Sequence, residues 1–337
     1  MALCVTVAGQ TKKGFEQLIQ YKLMRLEIMK ICFYGVGGVG GYFGSLIAQR
    51  FNNEHDIYFI ARGKHKDNIC ENGLTLKKAG GAEIINVNPK ICTDNISDLP
   101  ICDLVVLSVK GYDLENAAKD INQITNKDSV ILPLLNGVDI YERIRKYLKS
   151  AIVLPSCVYI GTHIESPGVI SQNGGNSKIL IGYDPLYPDC YPESLLTVLK
   201  ESKIDFAWED NVQVSIWSKY MFIAAYGLVT ATYEKTLGEI LENSELSQIT
   251  KSIMIEIEKI AKRLKVPLNS DIVETSFLKG TQFPFETKTS FQRDVESKGK
   301  INEADIFGGT IIRYGDEFGI NVSNTREIQN RLMTKFE

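Results

Sequence analysis

Continuous apolar runs, not alternating ones, dominate the chain up to about residue 208. KICFYG (30–35), IYFIAR (57–62), DLVVLSVK (103–110) and SVILPLL (129–135) each read as a strand buried on both faces. Helical intervals such as SLIAQRF separate them, which is the pattern of a parallel sheet covered on both sides. AIVLPSCVYIG (151–161) and KILIG (178–182) read as further strands of the same domain. The intervening HIESPGVISQNGGNS has the composition of turns, and YDPLYPDCYP, with three prolines, reads as a surface connection.

Beyond residue 208 the pattern turns helical. In KSIMIEIEKIAKRLKV, the residues Ile253, Ile257, Ile260, Ala261 and Leu264 share one side, and Pro267 supplies a stop. QVSIWSKYMFIAAYGLVTATY is apolar on nearly every face, so it belongs inside a helical domain or at a domain interface. The expected class is therefore α/β. A Rossmann-like parallel-sheet domain spans 29–208, and an all-helical domain spans 209–337. Residues 1–28 stand apart. MALCVTVAG lacks the basic region of a secretory signal, and Met29 directly precedes the first strand. Both a start-site or expression artefact and a native extension fit that segment.

Composition removes several classes. Thirty-eight basic and forty-one acidic residues give a net charge of -3, which makes no whole-chain case for nucleic acid. No run reaches the length of a membrane span. Seven scattered cysteines without a CxxC pair fit free thiols in a reducing, cytoplasmic compartment. Three histidines lack ligand-like spacing, so no metal is expected.

Candidate chemistry begins at Gly35-Val36-Gly37-Gly38-Val39-Gly40, a GxGxxG turn between a strand and a helix. Gly35 makes the tight turn, Gly37 lets backbone approach a pyrophosphate, and Gly40 lets helix pack on sheet. The helix N-terminus then offers unpaired amides to the phosphates. The second strand ends in Ala61-Arg62-Gly63 rather than in an acid. A guanidinium there suits a 2′-phosphate, so NADPH (or NADP+) is expected over NADH.

Lys110 and Asn136 end two buried strands at the edge where open α/β sheets bind ligands. Lys219 is the one charge in WSKYMFIAAYG, with no carboxylate near it in sequence. Placed at the cleft, its amine would protonate a carbonyl oxygen as hydride arrives. Downstream, Ser290 and Asp294 share a helix face, and Glu303 and Asp305 precede IFGG.

Together, GVGGVGGYFG, the ARG ending strand two, SVKGYD, LLNG, HIESPGVI, WSKYMF and TSFQRDVESKGKINEADIFGG resemble the 2-dehydropantoate 2-reductase (ketopantoate reductase) family over residues 29–330. The resemblance implies NADPH-dependent reduction of 2-dehydropantoate to (R)-pantoate, on the route to pantothenate and coenzyme A. It implies a Rossmann-like domain joined to a helical domain like that of 6-phosphogluconate dehydrogenases. By the same resemblance, Lys219 is the catalytic lysine and Glu303 its acidic partner, orienting the lysine or the substrate hydroxyl. Ser290, Asp294 and Asn136 then bind substrate. Lys110 and Asn136 lie by the cofactor, and Arg62 selects the 2′-phosphate.

Two departures stand out. Family patterns often place asparagine four and eight residues after the lysine, where this chain has Ile223 and Gly227. The interval from Asp294 to Glu303 is one residue longer than usual, so that Asn302 occupies the unshifted position. A related reductase of another 2-keto acid, a non-enzymatic NADPH sensor and a structural protein are the competing readings. The partner expected is a small 2-keto acid, with no nucleic acid or membrane; the oligomeric state, a homodimer included, is left open.

Overall fold

The computed structural model describes residues 28–297 and 301–336. The expectation about an N-terminal extension lies almost wholly outside these residues. Six parallel strands form the central sheet: β1 (Lys30–Tyr34), β2 (Asp56–Ile60), β5 (Ile91–Thr93), β6 (Leu104–Leu107), β7 (Val130–Pro133) and β8 (Ile152–Val153). Their order, β5-β2-β1-β6-β7-β8, is that of a doubly wound dinucleotide fold. The reason the runs are continuous is visible in β1. Ile31 and Phe33 enter one core, while Cys32 and Tyr34 enter another across the sheet.

The first face is covered by α1 (Gly38–Phe51), by α5 (Glu193–Glu201) and by a second sheet. The opposite face packs on α3 (Leu114–Ile121) and α4 (Ile140–Arg145). The helix α2 (Gly63–Asn72) follows β2. The second sheet, ordered β11-β10-β3-β4, comprises β3 (Leu74–Lys78), β4 (Glu83–Val87), β10 (Val169–Ile181) and β11 (Phe206–Trp208), with β9 (Ser156–Ser166) paired to β10.

This second sheet corrects the turn reading of HIESPGVISQNGGNS, which lies in the β9–β10 antiparallel hairpin. Only Pro167 and Gly168 turn the chain, with Gly168 at φ 76°. Register shifts near Gly174 absorb the other glycines, and the outer part of β9, from His163 to Ser166, is exposed while Ile170 and Ser171 of β10 are buried. Polar, glycine-rich sequence was thus able to hide a long hairpin.

The helical half is built on α6 (Val212–Tyr233), whose residues from Ala224 to Thr232 are all buried. Around it pack α7 (Leu237–Glu242), α8 (Ser244–Arg263), α9 (Ile272–Leu278), α10 (Ser290–Glu296), α11 (Thr310–Phe318) and α12 (Ser323–Met333). In α8, Ile253, Ile257, Ile260 and Ala261 are buried as the spacing predicts. Leu264 is not: the helix ends at Arg263, and Leu264 beyond it is 39% exposed. One apolar core runs without a break from Cys32 and Tyr34 of the sheet to Trp217 and Tyr220 of α6. That shared core fixes the helical half against the C-terminal edge of the sheet.

Candidate active site

A cleft of about 450 Å³ lies at this edge, lined by the glycine turn, the ends of β2, β6 and β7, the inner part of β9, Lys219, Ser290 and Glu303. The turn has the geometry its glycines require. Gly35 sits at φ 95°, and a Cβ on Gly40 would come within 2.3 Å of the Gly35 carbonyl oxygen. At Gly37 a Cβ would meet nothing within 4 Å, so the backbone there is open. Helix α1 begins at Gly38 with no acidic residue in its first turn. Unpaired amides and a positive helix end therefore face the cleft, which fits a pyrophosphate. Arg62 stands at the same end of the cleft, 64% exposed, and donates to Asp113 at 2.8 Å.

Lys219 projects from the third turn of α6 into the cleft. Its Nζ donates to Asn136 Oδ1 at 2.8 Å and to the Val158 carbonyl at 2.6 Å, and stands 5.5 Å above the Tyr159 ring. Both hydrogen-bond acceptors are neutral, and the sequence separations of 83 and 61 explain why no local partner was visible. Burial pulls the pKa down to about 8, although Cys157 and Glu303 act the other way.

Lys110 has the opposite surroundings. Its Nζ donates to Asp294 at 2.5 Å and to Glu303 at 3.1 Å. Burial works against its charge, but Glu303 and Asp294 outweigh it and raise its pKa. Glu303, only 5% exposed, also accepts from the Gly111 amide at 3.0 Å. The expectation that Glu303 orients Lys219 is thus not met by a hydrogen bond; its carboxylate is held by Lys110 and Gly111 and reaches Lys219 only through space. Asn302 accepts from the Ala304 amide, and of the two residues it is Glu303 that lines the cleft. Residues 298–300 of the interval from Asp294 to Glu303, and with them the expectation of one extra residue there, lie outside the described residues.

Helix α6 places both ends of this arrangement. Next to Lys219, the buried Tyr220 hydroxyl donates to the Ile306 and Phe307 carbonyls, tying down the π-helical turn Asp305–Gly309 just after Glu303. Ser290 starts α10 at the cleft, whereas Asp294, one turn on, reaches Lys110 but does not line the cavity. Gly227 faces Phe291 of α10, and a Cβ there would make only ordinary contact, 3.5 Å from the Phe291 Cβ. Sequence reasoning gave no role to the Val158 carbonyl, because backbone groups carry no residue signal. Asp113 was visible in SVKGYD but unassigned.

Among the described residues no cluster of His, Cys, Asp or Glu could hold a metal ion, and no helix is long and apolar enough to cross a membrane. The ketopantoate reductase PanE/ApbA family model matches residues 31–185, and the model of that family's C-terminal domain matches residues 211–335. The chain belongs to the ketopantoate reductase family. An uncharacterized oxidoreductase, YkpB, of Bacillus subtilis (strain 168) is 26% identical over 284 residues, which is 84% of this chain and 91% of that protein. The PanE/ApbA family ketopantoate reductase of Ralstonia eutropha JMP134 superposes with a TM-score of 0.82 at 25% identity, covering 91% of this chain and 98% of that one. D-mandelate dehydrogenase, solved with NADH and anilino(oxo)acetate, shares the fold at a TM-score of 0.79 and 22% identity, over 91% and 98% of the two chains.

Proposed function

We propose that the protein is an NADPH-dependent 2-dehydropantoate 2-reductase, forming (R)-pantoate for pantothenate and coenzyme A synthesis in the cytoplasm. The observation that carries this reading is the Lys219 ammonium, held by two neutral acceptors in the cleft that also contains the glycine turn. Family membership supports 2-dehydropantoate as the substrate, and Arg62 at the end of β2 supports the phosphorylated dinucleotide.

When bound, the nicotinamide supplies hydride to the keto carbon. The chain's own residues do the rest. The sheet half, near residues 29–208, would hold the dinucleotide: the turn Gly35–Gly40 and the start of α1 would take the pyrophosphate, Arg62 the 2′-phosphate, and Lys110 and Asn136 would lie by the cofactor. Lys219 gives its proton to the keto oxygen, and its positive charge stabilises the developing alkoxide. A pKa of about 8 keeps the ammonium populated at neutral pH yet ready to give up its proton. Asn136 fixes the direction of the amine, and Ser290 and Asn136 position the substrate carboxylate or hydroxyl. Glu303 and Asp294 hold Lys110, and with it the junction of sheet and helices.

One observation favours a second reading, a reductase of a different 2-keto acid. Ile223 and Gly227 follow Lys219 at one and two helical turns, where the family often carries asparagines. The test is dinucleotide oxidation by purified protein with 2-dehydropantoate beside branched and aromatic 2-keto acids. Turnover greatest with 2-dehydropantoate is the expected outcome. Preference for another keto acid selects the second reading, and no turnover with any of them defeats both.

A further inference from the structure

Arg62 does not wait alone at its end of the cleft. Its guanidinium donates to Asp113 at 2.8 Å, and both side chains line the cavity. Asp113 comes from a different part of the chain, the turn that follows β6 and precedes α3. It is the less exposed of the two, at 29% against 64% for Arg62. A carboxylate is therefore fixed where the ribose of the adenosine would meet Arg62, and this bears on which dinucleotide binds.

We propose that Asp113 sets the balance between NADPH and NADH, opposing the 2′-phosphate and favouring a free 2′-hydroxyl. The proposal rests on the reading of Arg62 given above. A 2′-phosphate must take Arg62 away from Asp113 and then lie beside a like charge, which weakens its binding. A ribose 2′-hydroxyl carries no such charge and can donate to the carboxylate, the contact NAD-selective folds make with an acid at the end of the second strand. Here the acid comes from the turn after β6, while the second strand ends in arginine. The two determinants are thus split between two elements and bonded to each other.

The experiment is a fluorescence titration of NADPH and of NADH against the full chain, as wild type, Asp113→Asn, Arg62→Ala and the double variant, at one fixed ionic strength. Asn at 113 keeps the shape of the turn and removes only the charge. D113N is expected to tighten NADPH about three- to tenfold and to loosen NADH by a similar factor. In the double variant, compared with R62A alone, the part of the NADPH gain that comes from releasing the guanidinium disappears, and only the part from removing the like charge beside the 2′-phosphate remains. Looser NADPH binding in D113N would make Asp113 a support for Arg62 and overturn the proposal, as would no change with either dinucleotide while R62A still selectively weakens NADPH. Equal weakening of both dinucleotides by R62A would instead remove the 2′-phosphate reading on which the competition depends.

Discussion

Two lysines enter the same cleft from opposite halves of the molecule, and their surroundings differ completely. Lys110, from the sheet half, is held between Asp294 and Glu303 of the helical half. Lys219, from the helical half, reaches Asn136 and the Val158 carbonyl of the sheet half, and no carboxylate among the described residues bonds it. The first arrangement fixes a charge in place and raises its pKa, so that its proton is retained across the physiological range. The second leaves an ammonium hydrogen-bonded to neutral groups, and its burial brings it close to losing its proton. One lysine is a strap between the halves; the other is suited to give up a proton. The difference lies in the partners, not in the residue type.

The largest effect should come from Lys219→Ala. Losing a positioned proton donor costs about 10²–10⁴ in turnover. Dinucleotide affinity, measured separately by titration, should stay near the wild-type value. Next is Lys110→Met, which leaves the buried Glu303 without its cation. Removing a hydrogen bond to a charged group costs about 1–3 kcal/mol, to be read as a lower urea midpoint. If K110M unfolds like wild type, Lys110 is no strap.

The smallest effect distinguishes the two lysines most finely. Glu303→Gln keeps an oxygen for the Gly111 amide but removes a charge that raises the pKa of Lys219. On the proposed role of Lys219 the ammonium is the reactive form for reduction, so kcat/KM should fall as pH rises through about 8 in the wild type. In E303Q that fall should move to lower pH. The reverse reaction, which needs the neutral amine, should rise over the same range.

Much of this was legible in the sequence, and the reasons are local. Strands buried on both faces announce themselves as continuous apolar runs, and a GxGxxG turn is contiguous. Lys219 was conspicuous because its neighbours are apolar. Its partners were hidden because they are neutral and come from other elements. The strap was hidden too, since Lys110 meets its acids across 184 and 193 residues. Many acids in 287–309 look alike in sequence, and only the fold brings Glu303 to Lys110. The β9–β10 hairpin was missed for a different reason. The outer part of β9 faces solvent, so burial imposes no alternation on that strand.

The contrast between the two lysines is most directly tested by titrating both in the intact protein, following the ε-carbon resonances of ¹³C-labelled lysine assigned through K219A and K110M. Lys219 should titrate at about 8, and Lys110 above the ordinary lysine value of 10.5. A Lys219 that titrates at or above 10.5 would mean a carboxylate holds it after all, and would contradict the proton-donor role proposed for it.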